Sequence, residues 1–205
     1  IAINNFVTMK ISYANLLMQG AAALGGIRID VVTDAIGLDS RIGRKYLKAA
    51  APYGGPCFPR DTRALNAMYR DFGLKNSLSE VTELVNESHS KHLAQMITSN
   101  ISRASRVGIA GISYKTGTKV TEESPGLALA SALASLGYEI CVWDDENVGL
   151  QDEPRLSNFQ VTEELKDFLG QVDFVVITRS LNSPDEFRSA LREKGVSYID
   201  LWRNI

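Results

Sequence analysis

Cys57 stands in the run Tyr53-Gly54-Gly55-Pro56-Cys57-Phe58-Pro59-Arg60-Asp61, a thiol on a glycine turn with a carboxylate four residues later. A thiolate attacks a carbonyl carbon, and a neighbouring carboxylate takes a proton from water. The paired glycines permit backbone conformations closed to other residues and a close approach to a ligand. Pro59 suits the first turn of a helix, and Leu65, Met68, Tyr69 and Phe72 continue it at helical spacing. Cys57 then lies near a helix N-terminus, where partial positive charge favours the thiolate. Asp61 falls one turn on, on the same side. A free cysteine is usually a small buried hydrophobe, so local spacing by itself leaves both readings open.

The elements that must position this motif change character halfway along the chain. Residues 1–24 carry Phe6, Met9, Tyr13, Leu16 and Leu17 at helical spacing with no proline, and the chain reads as opening inside a helix of a longer protein. Shorter helical patterns are expected over residues 29–36 and 39–48, then a helix over 60–72. A long helix over 79–103 is opened by Ser77 or Ser79. From Arg106 the period switches: strand runs over 106–112, 138–143, 173–178 and 196–201 alternate with helical patterns. Those helical patterns cover 162–169, 183–193 and a helix from the Ser124-Pro125 cap to Leu136. The expected class is α/β: an all-helical domain over 1–103, then a Rossmann-like parallel-sheet domain over 104–205, divided at the composition break near Ser102 to Ser105.

Composition narrows the function. The 205 residues are 44% hydrophobic, enough for real cores, and the net charge of −2 divides into 12 basic and 8 acidic side chains before Ala104 and 10 and 16 from there on. Neither half carries the basic cluster with interleaved aromatics of a nucleic-acid groove; a mildly basic first half suits a phosphorylated small molecule. No apolar run is long enough to span a membrane and no signal peptide opens the chain, so a cytoplasmic protein is expected. Cys141 lies in an apolar strand and reads as core, which leaves no disulfide framework. His89 and His92 lack a further ligand, so no metal site is expected.

Ligands of open α/β sheets collect beyond the carboxyl ends of the strands. The loop from Ser113 to Glu123 leaves the first strand there, with Lys115 and Lys119 but without G-x-G-x-x-G. Asp144 and Asp145 end the second strand, at the place of a ribose-binding acid or of a solvated turn. Read in isolation, Arg41 is a solvated charge, and Tyr46 and Tyr53 are packing residues.

Three stretches carry a family resemblance. Asn4-Asn5-Phe6 through Lys10-Ile11-Ser12-Tyr13-Ala14-Asn15 resembles the central helix of the UDP-glucose/GDP-mannose dehydrogenases. Asp39-Ser40-Arg41-Ile42-Gly43 continuing to Cys57-Phe58-Pro59-Arg60-Asp61 resembles their R-I-G and G-G-S-C-F-P-K-D segment. Gly108-Ile109-Ala110-Gly111-Ile112-Ser113-Tyr114-Lys115 with Glu123-Ser124-Pro125 is similar to the opening of their C-terminal domain. The resemblance implies NAD-dependent oxidation of the C6 alcohol of a nucleotide sugar to a uronate for polysaccharide biosynthesis, UDP-glucose first and GDP-mannose next. It implies Cys57 as the nucleophile through a thiohemiacetal and a thioester, Asp61 assisting the water, and Asn4 orienting the substrate hydroxyl or stabilising the oxyanion. Arg41, Tyr46, Lys48, Tyr53 and Gly54 match the substrate loop, Tyr114 and Lys115 an aromatic-lysine pair near base and phosphate, and Arg203 an arginine by the last strand. Phe58 and Arg60 match positions bordering NAD, and a homodimer through the N-terminal helix is expected. Lys10 reads as structural, because the family's catalytic lysine falls before Asn4.

The chain departs from the family pattern in places. Pro56 replaces a serine and removes a backbone donor beside the thiol. Glu122 stands where an arginine often faces the cofactor, Leu16 replaces a glutamate, and the Asp200 to Asn204 turn is one residue longer than usual. The match covers the central and C-terminal domains but not the NAD-binding Rossmann domain, so a fragment inactive alone is expected. Glu122 and that missing half motivate the alternative of a non-catalytic nucleotide-sugar-binding or dimerisation module.

Overall fold

The computed structural model describes residues 1–75, 77–146 and 154–205. The chain divides into two compact units, Ile1–His92 and Leu93–Ile205. The first holds α1 (Ala2–Leu24), α2 (Ile29–Leu38), α3 (Phe58–Asp71) and most of α4 (Leu78–Thr98). The division therefore falls within α4, ahead of the composition break that precedes the sheet.

Helix α1 runs uninterrupted because no proline or internal cap stops it, and it buries a narrow stripe: Thr8, Ser12, Ala14, Asn15, Met18 and Ala21. Its large apolar residues Ile3, Phe6, Tyr13 and Leu16 lie exposed on this chain instead. Pro59 sits in the first turn of α3, and Ser77 caps α4 by accepting from the Ser79 and Glu80 amides at 3.1 and 3.4 Å. Residues 39–48 form turns where a helix was expected. Gly43 and Tyr46 take φ of 70° and 64°, which ends any right-handed run, and Lys10 Nζ donates to the Ile42 and Gly43 carbonyls at 3.0 and 3.2 Å.

The second unit contains β1 (Val107–Ala110), α5 (Pro125–Ser135), β2 (Ile140–Trp143), β3 (Gln160–Val161), α6 (Leu165–Gln171), β4 (Phe174–Ile177), α7 (Pro184–Lys194) and β5 (Ser197–Asp200). The strands form one parallel sheet in the order β3-β2-β1-β4-β5. Strand order reverses between β1 and β4, which makes their carboxyl ends the switch point of a doubly wound sheet. Strands β1 and β2 are buried at every position, as parallel strands covered on both faces must be. Ser124 caps α5 by accepting from the Leu127 amide at 3.2 Å. Strand β3 was not foreseen, since two residues show no period. Among the described residues no helix is long and apolar enough to cross a membrane.

Aromatic packing anchors this sheet. Trp143 stacks on Phe168 and Phe187 at centroid distances of 5.8 and 5.3 Å, and both phenylalanines are fully buried. Gly108 in β1 leaves room for Phe168: a Cβ there would lie 2.6 Å from Phe168 Cζ. Replacing Gly108 with alanine should lower stability by about 1–3 kcal/mol through overpacking. Urea unfolding checks this, and a variant as stable as the parent would contradict the packing described.

Candidate active site

The segment leading to Cys57 is buried but belongs to no sheet. Its backbone groups still require partners, and side chains from two helices supply them. Asn15 of α1 accepts from the Ala50 amide at 2.9 Å and donates to the Ala51 carbonyl at 3.2 Å. Asn86 of α4 accepts from the Tyr53 amide at 2.8 Å and donates to the Tyr53 carbonyl at 3.0 Å. His89 Nε2 donates to the Ala50 carbonyl at 2.8 Å, while Nδ1 accepts from the Gln19 amide at 3.0 Å, which fixes the neutral tautomer. Ala49, Ala50 and Ala51 are small enough to let the helices approach and are almost fully buried. Burial pushes the His89 imidazole down to about 4 from an ordinary 6.5. His89, set aside as a ligand at the sequence level, is thus part of the clamp.

Gly55 turns the chain at φ 79°, and Cys57 follows as the N-cap of α3 with its side chain exposed. Its carbonyl accepts the Asp61 amide at 2.9 Å, so the carboxylate is one helical turn along. Asp61 is buried and held at both oxygens: Oδ2 accepts from Asn4 Nδ2 at 2.7 Å, and Oδ1 from Arg60 Nε and Nη2 at 3.0 and 2.9 Å. Asn5 Nδ2 holds the Asp61 carbonyl at 3.0 Å. The Asn4 amide first, then the Arg60 guanidinium, keep the carboxyl below its ordinary range. The expected trio of Cys57, Asp61 and Asn4 is therefore gathered at one helix start: an exposed thiol, an ionised carboxylate and an amide that orients it.

Phe58 lies edge-on to Tyr46 and Tyr53, with both centroid distances 6.4 Å. Burial pushes the Tyr53 phenol up to about 12, whereas Tyr46 is half exposed. Gly54 is half-buried ahead of the turn and Lys48 is exposed. Arg41 is also exposed, with its guanidinium bound to Asp39 at 3.0 Å from Nε and 2.6 Å from Nη2.

The remaining candidates lie in the second unit. Lys115 Nζ stands 5.4 Å from the Tyr114 ring centroid, and the Tyr114 amide donates to the Val120 carbonyl at 2.9 Å, closing their loop. Arg203 has φ 54° in a turn wrapped round Asp200, and its Nη1 donates to the Leu201 carbonyl at 2.8 Å. Asp144 is neither a ribose-facing acid nor a solvated turn. Its buried carboxylate accepts from the Ile112 and Ser113 amides at 2.6 and 2.7 Å and from Arg179 at 2.7 Å. Sequence reasoning missed Arg179; the available signal was a lone arginine at the exit of one apolar strand and a pair of acids, Asp144 and Asp145, at the exit of another.

Comparison with known proteins gives the family. Residues 1–88 match the central domain, and residues 108–202 the UDP binding domain, of the UDP-glucose/GDP-mannose dehydrogenase family. The chain belongs to that family. The UDP-glucose 6-dehydrogenase of Rhizobium meliloti is 30% identical over 190 residues, covering 91% of this chain and 42% of that protein. The UDP-glucose 6-dehydrogenase AglM of Haloferax volcanii is 29% identical, with 93% and 45% covered. A solved UDP-glucose dehydrogenase from Pyrobaculum islandicum superposes with a TM-score of 0.78 at 28% identity, covering 98% of this chain and 46% of that one. A GDP-mannose dehydrogenase from Pseudomonas aeruginosa gives 0.64 at 26%, covering 94% and 46%. The chain thus spans less than half the length of these relatives.

The clamp makes two measurable statements. Asn86→Ala leaves the Tyr53 amide and carbonyl without their partner and should cost about 1–3 kcal/mol in urea unfolding. His89 binds its proton more weakly folded than unfolded, so its contribution is complete above pH 6.5 and is lost as pH falls toward about 4. That loss amounts to about 3 kcal/mol. The slope of stability against pH over this window should flatten in His89→Gln, and an unchanged slope would contradict the assignment.

Proposed function

We propose that this chain carries the thiol and the nucleotide-binding part of an NAD-dependent nucleotide-sugar 6-dehydrogenase, with UDP-glucose as first substrate and GDP-mannose as second. The carrying observation is the exposed Cys57 at the start of α3, one turn ahead of an ionised Asp61 held by Asn4 and Arg60. The C6 alcohol first loses a hydride and a proton to become an aldehyde. Cys57 Sγ adds to that carbon, and the oxygen takes a proton, giving a thiohemiacetal. Loss of a second hydride and proton gives a thioester. Water then adds with Asp61 accepting its proton, the C–S bond breaks, and the carboxylate leaves a free thiol. Asn4 holds Asp61 in place and presents an amide donor where negative charge develops on oxygen.

NAD, when bound, supplies the hydride acceptor for both oxidations. Phe58 and Arg60 would border it from this chain, and Arg60 suits a pyrophosphate because its side chain stays 67% exposed while paired with Asp61. The second unit offers no dinucleotide cradle among the described residues: a long loop follows β1, and Asp144 is already committed to backbone amides. Tyr114 and Lys115 are assigned to base and phosphate, Arg203 to the substrate, and Arg41, Tyr46, Lys48, Tyr53 and Gly54 to the substrate loop. The exposed Ile3, Phe6, Tyr13 and Leu16 favour a second copy of the chain against α1.

The test has a binding arm and a chemical arm. Calorimetric titration of this chain should show UDP-glucose bound more tightly than GDP-mannose. With a dinucleotide-binding domain joined ahead of Ile1, NADH should form from UDP-glucose and fall at least about 10³-fold in Cys57→Ser. Binding without any Cys57-dependent NADH would favour the non-catalytic binding module, and a chain that binds neither sugar nucleotide and is a monomer in solution would overturn both readings.

A further inference from the structure

Three strand ends of the second unit, those of β1, β2 and β4, meet at one buried guanidinium. Arg179 follows β4 with its side chain only 5% exposed. Its Nη2 donates to Asp144 Oδ1 at 2.7 Å and Asp145 Oδ1 at 2.5 Å, and its Nη1 to the Ser180 carbonyl at 2.7 Å. Asp144 relays that grip to the exit of β1, where its Oδ2 accepts the Ile112 and Ser113 amides at 2.6 and 2.7 Å and the Ser113 hydroxyl at 3.1 Å. Ser113 is the residue immediately before Tyr114 and Lys115. The far side of the same loop is tied down too. The Gly117 amide donates to Glu146 Oε1 at 2.6 Å, and the Thr116 hydroxyl donates to the Ser180 carbonyl.

The fit round Arg179 is close. Gly111 has φ 98°, and a Cβ there would lie 2.7 Å from Arg179 Cγ. An ion pair this deeply buried is poor evidence of added stability, because apolar side chains of the same volume often serve as well. What it fixes is geometry: without the cation, Asp144 and Asp145 face one another as adjacent like charges, and Asp144 loses its reason to stay against the β1 exit.

We propose that Arg179 is a positioning residue for nucleotide-sugar binding, setting the Tyr114–Lys115 loop through Asp144 without touching the ligand itself. The proposal rests on the reading above in which Tyr114 and Lys115 contact base and phosphate. It makes loop order depend on the switch point as well as on the loop's own closure between Tyr114 and Val120.

Calorimetric titration of the whole chain with UDP tests it, together with hydrogen exchange of the residue 113–120 amides. Arg179→Gln should weaken UDP about tenfold or more and speed exchange in the loop. Arg179→Lys keeps the charge but is shorter and lacks the second nitrogen that holds the Ser180 carbonyl, so it should recover part of the loss at an unchanged near-ultraviolet spectrum. UDP bound equally by wild type and Arg179→Gln would overturn the proposal, as would equal losses in the Lys and Gln variants, which would mark a space-filling role. If Arg179→Gln does not fold, the Lys variant decides: parent-like affinity and exchange contradict the proposal. Lys115→Ala separates the two levels: UDP affinity unchanged by that substitution removes the underlying loop reading, whereas a weakened Lys115→Ala beside a parent-like Arg179→Gln removes only the role of Arg179.

Discussion

The peptide groups between Ala49 and Tyr53 are buried without a neighbouring strand, and everything round Cys57 depends on how they are satisfied. Asn15, Asn86 and His89 reach in from α1 and α4 and take the place of a sheet ladder. Each such bond contributes only about 0.5–1.5 kcal/mol net, but a buried group left without one costs about 1–3 kcal/mol. The segment is therefore held in one path, because slipping by a residue would orphan several groups at once. Gly55 then turns that fixed path into α3, and Cys57 emerges exposed while Asp61, one turn later, is buried against Asn4. An exposed thiol one helical turn from a buried, oriented carboxylate is the arrangement on which the proposed thioester chemistry rests.

The second unit solves a similar problem with charge instead of amides. The β1 exit loop is long and carries no glycine fingerprint, so its first two amides would otherwise point into the sheet edge unpaired. Asp144 accepts both, and Arg179 neutralises Asp144 inside the protein. The same acid that closes the loop is thereby unavailable to a ribose. The consequence is a sheet of Rossmann order whose switch point is occupied by its own side chains.

Much of this was legible in the sequence, and the misses have physical causes. Helices α1, α3, α4, α5 and α7 and strands β1, β2, β4 and β5 follow from period and caps, because burial on one face or on both imposes those patterns. The stretch from residue 39 to 48 has helical spacing too, but Gly43 and Tyr46 adopt positive φ, a tertiary outcome that propensity does not register. Cys57 and Asp61 could be paired from spacing. Asn4 could not, since it comes from 57 residues away and entered only through the family resemblance. Asn86 and His89 look like ordinary polar positions on a helix, and only the fold shows that a bare backbone faces them. Arg179 hides for the same reason: its acidic partners follow β2, on the far side of β1 in the sheet, and sheet order decides which ends meet.

The central claim is that Cys57 forms a covalent bond to the oxidised C6 carbon, and that step can be isolated from hydride transfer by offering the aldehyde directly. UDP-glucose carrying a ¹³C-labelled aldehyde at C6 should, on mixing with this chain, give a thiohemiacetal carbon resonance beside that of the hydrated aldehyde. The resonance should be absent in Cys57→Ser and in protein alkylated at Cys57. A spectrum showing only free and hydrated aldehyde with the unmodified chain, while the sugar nucleotide is demonstrably bound, would contradict the account.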